Sequence, residues 1–325
     1  MTTPTLLPST TTHGALTSLG SSELIQKISK HLNLRVLPPH IDNILLSTLF
    51  FTLLHSSLAE PLSSRLLIPK QWASFTQKDK SDWKLRVVSM VQSLILGPWA
   101  LYILACQFFF LGETRPTSSS LIERVYGYYE AETQMTDFAL GYFLWHLAMM
   151  VREREKHGLQ MVMHALVGVG CLGGVYVPFT TTLTAWFLVY EMTNPPHNVY
   201  RFLSRLGRGN SRLSVANAVV WIVLFFVFRI VWGSYATVVY MGSTYAVWKT
   251  PLTREALGES EYAVVERLRA EGLEPRNIGT FVMVLTMLAG VTLASLNYMW
   301  FYLIVKITAR RISEIKGRKG AGKSK

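Results

Sequence analysis

Five ionisable side chains lie within the long apolar runs of this chain: Asp137, His146, His164, Glu191 and Arg229. A charge at the centre of a bilayer costs about 2.5–3.5 kcal/mol on insertion scales, so such residues face a bundle interior and take partners there. Arg229 makes the largest demand. It sits in Phe225-Phe226-Val227-Phe228-Arg229-Ile230, near the midpoint of an apolar run over 214–240 and too far from either end to reach the headgroups. Its guanidinium calls for a carboxylate or a group of carbonyls, with Glu191 the first candidate partner and Asp137 the second. Such an arrangement either fixes helix packing or anchors an anionic lipid group. Gly233, one turn further along the same face, lets a helix or a ligand come close.

His164 is the only ionisable group of its run. A histidine in that setting is either neutral and satisfied by a hydroxyl or carboxylate, or a catalytic base or nucleophile. His146 follows Asp137 by nine residues, which places the two on opposed faces of a helix rather than together. Asn194 belongs to Tyr190-Glu191-Met192-Thr193-Asn194-Pro195-Pro196-His197-Asn198. The two prolines are expected to end a span there, with Thr193 and Asn194 bonding the last free carbonyls and His197 facing the headgroups. The candidate site is therefore a polar cluster of Asp137, His146, His164, Glu191, Asn194 and Arg229, either lining a lipid cavity or structural, with His164 the one catalytic candidate. The histidines are scattered over separate runs without a short ligand spacing, so no metal and no cofactor is expected.

The elements that must position these residues are membrane spans. Of 325 residues 50% are hydrophobic and 16% charged, against about 25% charged in an ordinary soluble domain. The apolar residues are gathered into runs long enough for a bilayer. The net charge of +12 sits between and after those runs rather than on one face, which points to membrane orientation and away from nucleic acid. Cys106 and Cys171 both fall inside apolar runs and build no disulfide framework.

Residues 1–40 are polar and Ser/Thr-rich, read as a mostly disordered tail with a short amphipathic turn around Leu24–Leu37. No apolar signal core precedes residue 41, so the first transmembrane helix, 41–58, is expected to act as its own insertion signal. Further spans fall at 87–110, 137–151, 214–240 and 279–305. The run 159–192 is long for one upright helix, and Gly173-Gly174 and Pro178 at its middle predict two short helices joined by a tight turn. That gives about seven spans. The arrangement puts 21 Lys and Arg on one side of the membrane and 10 on the other, whereas six spans give 17 and 14. The positive-inside rule favours seven, with the N-terminus outside or lumenal and the C-terminus cytosolic. The loop 249–278 is charged, with an amphipathic helix expected over Glu259–Leu273. The tail 311–325 is basic and suited to anionic cytosolic headgroups.

Four groups of residues, in this order and spacing, resemble the TLC domain family. They are Gly141-Tyr142-Phe143-Leu144-Trp145, His164-Ala165, Glu191-Met192-Thr193-Asn194-Pro195 with Asn198, and Phe225–Ile230 with Trp232-Gly233. The resemblance covers 83–310 and is nearest the fungal branch of a family shared by ceramide synthases, the translocating-chain-associating protein and small lipid-related membrane proteins. It implies an all-α transmembrane bundle of six helices around a cavity in the endoplasmic reticulum, with one helix added in front. Ceramide synthases carry two adjacent histidines and a downstream row of Asp residues that serve acyl transfer. Here Met163 and Ala165 flank His164, no acidic row follows, and His146 stands where relatives usually have an Asp. The expected function is non-catalytic: binding, sensing or trafficking of a membrane lipid in lipid homeostasis, with no protein partner indicated. The alternatives are a lipid acyltransferase using His164 and a protein-biogenesis or cargo-receptor role.

Overall fold

The computed structural model describes the backbone of residues 18–109 and 120–321, and the side chains of 18–108 and 120–310. Among these residues there is helix and no strand. Helix α1 is Glu23–Leu32, α2 is Ile41–Leu67, α3 is Gln77–Phe109 and α4 is Leu121–Tyr126. Helix α5 is Glu130–Arg152, α6 is Leu159–Tyr176 and α7 spans 181–205 in four short helical pieces. Helix α8 is Arg212–Lys249, α9 is Arg254–Ala270 and α10 is Thr280–Ala321.

Helices α2, α3, α6, α8 and α10 are long and apolar enough to cross a membrane. Their exposed side chains, such as Val219, Val223, Val227 and Val231 of α8 or Leu285, Leu288 and Val291 of α10, form apolar rows that suit lipid and not water. The chain is thus an all-α membrane bundle. Each of the seven expected spans coincides with a helix. Of these, α5 carries acidic and basic residues at its ends and α7 is interrupted, and neither has the apolar length of the other five.

Two departures from expectation lie near the N-terminus. Residues 18–40 are structured rather than disordered: Ser22 caps α1 by accepting from the Ile25 N–H, and Asn33 ends it in the left-handed region at φ 58°. Residues 1–17 lie outside the described set. The first span also runs on beyond residue 58 to Leu67, through π turns at Leu54–Leu58 and Leu62–Leu67.

By its internal contacts the chain divides into two compact units. One comprises Met1–Thr48, Tyr102–Ala185 and Val238–Gly290, the other Leu49–Leu101, Trp186–Thr237 and Val291–Lys325. In the first, Ile122, Val125 and Tyr126 of α4 pack with Val247, Leu252, Val265, Leu268 and Leu273. Glu261 of α9 clamps α4 to this core, accepting from Ser120 Oγ and the Leu121 and Ile122 N–H groups at 2.8–3.0 Å. A carboxylate on a helix N-terminus also meets the positive end of its dipole. Gly258, at φ 75°, divides α9 into a short helical turn capped by Thr253 and a second helix that starts at the expected Glu259. Gly141 of α5 lets α2 approach, since a Cβ there would sit 2.5 Å from Ser47 Oγ.

The second unit is centred on Ala59, Ile68, Trp72, Trp83 and Val87. The Trp83 indole donates to Ser63 Oγ at 3.0 Å. Asp82, 2% exposed, draws in Arg201 and Arg205 of α7.

Candidate functional site

In α8 the backbone opens into a π turn over Phe226–Val231, and Arg229 lies within it. Such turns re-aim side chains and recur at functional sites. Here the result is an arginine only 5% exposed. Its Nε donates to Thr193 Oγ1 at 2.8 Å, Nη1 to Asn297 Oδ1 at 3.2 Å, and Nη2 to the Tyr190 carbonyl at 3.2 Å. The rings of Tyr190 and Phe225 lie 5.4 Å from the guanidinium carbon and Trp300 lies 6.0 Å away, a cation–π enclosure on three sides.

The Tyr190 carbonyl is available for a local reason. In an α-helix it would receive the Asn194 N–H. Over Val189–Thr193 the chain instead forms a 3-10 turn, and the Asn194 N–H goes to the Glu191 carbonyl. The next two residues, Pro195 and Pro196, have no N–H to compete for these carbonyls. The freed Tyr190 oxygen accepts from the Thr193 hydroxyl at 2.8 Å and from Arg229. The prolines therefore do not end the span. They open an α-helical segment, Asn194–Arg205, where a missing N–H costs nothing. His197, on this segment, stacks on Trp221 at 4.6 Å. Gly97 of α3 closes over the turn, its missing Cβ 3.1 Å from the Met192 nitrogen. Gly233 does the same for the Tyr190 ring.

Glu191 is 4% exposed and accepts from Asn194 Nδ2 at 2.6 Å. It acts on Arg229 through space, but the expected direct ion pair is not formed. Among the described residues no carboxylate lies within 4.0 Å of the guanidinium, because the 3-10 turn offers it a hydroxyl and a carbonyl while the Glu191 carboxylate turns onto Asn194. A guanidinium has five N–H donors. Three are used, which leaves one on each terminal nitrogen without an acceptor among the described residues. A spare N–H on both nitrogens is the pattern that grips two oxygens of one carboxylate or phosphate.

Asp137, the second expected partner of Arg229, is committed elsewhere. In the first unit it is 1% exposed and accepts from Tyr176 Oη at 2.7 Å and Asn43 Nδ2 at 3.2 Å, and its Oδ2 lies 2.8 Å from His40 Nδ1. His40 Nε2 lies 2.7 Å from Tyr128 Oη, which is 3.1 Å from the exposed Glu130 carboxylate. Burial, then the Glu130 charge, pushes the Tyr128 phenol far above its ordinary range, so it keeps its proton. That single proton serves either neighbour. Glu130, Tyr128, His40 and Asp137 thus form one hydrogen-bonded row that ends on a buried carboxylate.

His146 and His164, which lie on separate apolar runs, come close to each other. Their rings are 6.4 Å apart, with Phe143 edge-on to both and Tyr142 stacked on His146. Among the described residues no group of His, Cys, Asp and Glu could hold a metal ion. The six candidates thus fall into three places: Asp137 with His40, His146 with His164, and Glu191 with Asn194 and Arg229. Sequence reasoning missed His40, Asn43, Tyr176, Thr193 as an Arg229 ligand, and Asn297. Asn297 carried a visible signal as a lone carboxamide deep in the apolar run 279–305, and His40 as a histidine abutting the first apolar residue.

The order of these elements, the buried Glu191–Asn194 turn and the embedded arginine agree with a direct match: residues 82–306 align with the TLC domain over more than half the chain. The chain belongs to the TLC domain family. Such proteins are generally membrane-associated and lipid-related. An uncharacterized TLC domain-containing protein of Schizosaccharomyces pombe is 28% identical over 211 residues, or 65% of this chain and 68% of its own. Topoisomerase I damage affected protein 4 of Saccharomyces cerevisiae is 26% identical over 235 residues, 68% of this chain and 77% of the yeast protein. TLC domain-containing protein 4 C of Dictyostelium discoideum is 25% identical over 143 residues, covering 42% and 48%. Within the TLC domain lie Asp137, Glu191, Arg229 and Asn297, whereas His40 and Asn43 precede it. The buried Asp137 of the TLC domain is therefore satisfied partly by residues that the domain does not contain.

Proposed function

We propose that this TLC protein binds a membrane lipid through an acidic headgroup, and senses or moves that lipid in the endoplasmic reticulum without transforming it. The reading is carried by Arg229. A buried guanidinium with one free N–H on each terminal nitrogen, walled by three rings, is a receptor for an anionic group with two oxygens. In the same proposal the polar cluster serves the lipid and the scaffold, and His164 is not a base for acyl transfer.

Native mass spectrometry of the purified chain tests it. The wild type is expected to carry an acidic lipid, and Arg229→Lys, which keeps the charge but loses the fork, to retain it about tenfold less, a difference of about 1.4 kcal/mol. An unchanged lipid complement in a folded Arg229→Lys protein would overturn the reading. Acyl transfer from acyl-CoA that is lost in His164→Ala would replace it with the enzymatic one.

The orientation proposed with it puts the C-terminus in the cytosol, supported by the uneven division of basic residues across seven spans. A reporter fused after Lys325 is expected to read cytosolic and one inserted within 253–275 lumenal. Both on one side would exclude that orientation.

A further inference from the structure

The ten-residue helix α1 carries Leu24, Ile28 and Leu32 at successive steps of four, and all three are exposed, at 66%, 38% and 57%. Side chains at that spacing form one ridge along about 12 Å of helix. Along one edge of the ridge the helix is seated on protein, with Ser29 5% exposed and Ile25 half-buried, so the bare ridge is not the mark of a loose helix. Beside the ridge stand Lys27, Lys30 and His31, all exposed, with Glu23 the only acid. Lysine stems lie along apolar surface and carry their charge outward, which is how in-plane membrane helices border their apolar face.

Two tethers set where this helix lies. Asp42, in the first turn of the membrane helix α2, accepts from Ser18 Oγ at 2.5 Å and from the Leu19 N–H at 3.1 Å, just ahead of α1. After α1, the Val36 N–H donates to the carbonyl of Tyr176, the last residue of the membrane helix α6. The chain on both sides of α1 is therefore pinned to the ends of membrane spans. On α2, within a turn of Asp42, Leu45 and Leu46 are 43% and 67% exposed, so this end of the span also bears bare apolar side chains.

We infer that α1 lies in the headgroup layer of the membrane with its Leu24–Ile28–Leu32 ridge among the upper acyl carbons. The occupant of the ridge is lipid, because the chain on both sides of the helix is fastened to the ends of membrane spans and exposed lysines border the apolar face. The inference is independent of the lipid proposed at Arg229.

The test uses the full chain in phosphatidylcholine vesicles, with Cys106→Ala and Cys171→Ala as background and an environment-sensitive fluorophore on Ile28→Cys. Acyl chains brominated close to the headgroup are expected to remove about half or more of its emission, as for a face buried 5–10 Å into the boundary. A label on Lys30→Cys should lose far less. Leu24→Cys repeats the measurement should Ile28→Cys fold poorly. Equal quenching of ridge and Lys30 labels, or none, would exclude the interfacial placement. Ridge emission that follows protein density and ignores bromination would assign the face to a second copy of the chain.

Discussion

Arg229→Leu is expected to remove most of the folded protein recoverable in detergent. Leucine fills part of the volume but leaves the Asn297 amide oxygen without its donor and takes one donor from the Tyr190 carbonyl. An orphaned buried acceptor costs about 1–3 kcal/mol. Glu191, 4% exposed, also loses the cation acting on it, and stripping one charge from a buried set costs about 3–5 kcal/mol. Against a total stability of about 5–15 kcal/mol the sum is disabling. Adding Glu191→Gln removes the stranded charge but not the stranded acceptors, so it is expected to restore part of the yield. Monodisperse yield on size exclusion and the melting temperature report the result. A single variant as stable as the wild type contradicts the buried network, and a double variant no better than the single removes Glu191 from it.

The second large effect is expected at Asp137→Ala. Three side chains converge on that carboxylate: His40, Asn43 and Tyr176. Alanine leaves the buried His40 and Tyr176 facing an empty pocket, again at about 1–3 kcal/mol for each unmet group, while the exposed Asn43 loses little. The damage should be directional. His40 and Asn43 join the N-terminal segment to α5, so local opening of 18–40 becomes easier well before the whole molecule unfolds. Limited trypsin digestion reads this at Lys27, Lys30 and Arg35, where cleavage should rise about tenfold for every 1.4 kcal/mol lost. Asp137→Asn keeps the shape and two lone pairs, and should fall between the two. Equal cleavage in wild type and Asp137→Ala would show that other contacts hold the segment.

Both effects involve residues that were only partly visible in the sequence. Arg229 and Asp137 announce themselves, since an ionisable group in a lipid-length apolar run is costly wherever it points. Their partners do not. Glu191 looked like the natural mate of Arg229 because charge is the only affinity that composition reveals. The actual ligands, a threonine hydroxyl, an asparagine oxygen and a backbone carbonyl, depend on a 3-10 turn that no residue pattern marks as such. The prolines at 195 and 196 were misread for a related reason: proline stops a helix from within and starts one from its first turn, and only the preceding turn tells which applies.

By itself the sequence determined the membrane character, the positions of the apolar helices, the break at Pro178 and the TLC family. These are local properties. Inside a bilayer the backbone has no water to bond, so a long apolar run has essentially one conformation open to it. Tertiary structure alone decided which polar groups meet. Asp137 finds His40 across 97 residues and Arg229 finds Asn297 across 68, contacts set by how helices rotate and slide against one another. Rotation and slide follow from close approaches such as Gly141 against Ser47 and Gly97 against Met192, and from the π turn that re-aims Arg229. Each shifts a helix face by a fraction of a turn, a quantity that spacing along a single chain segment does not contain.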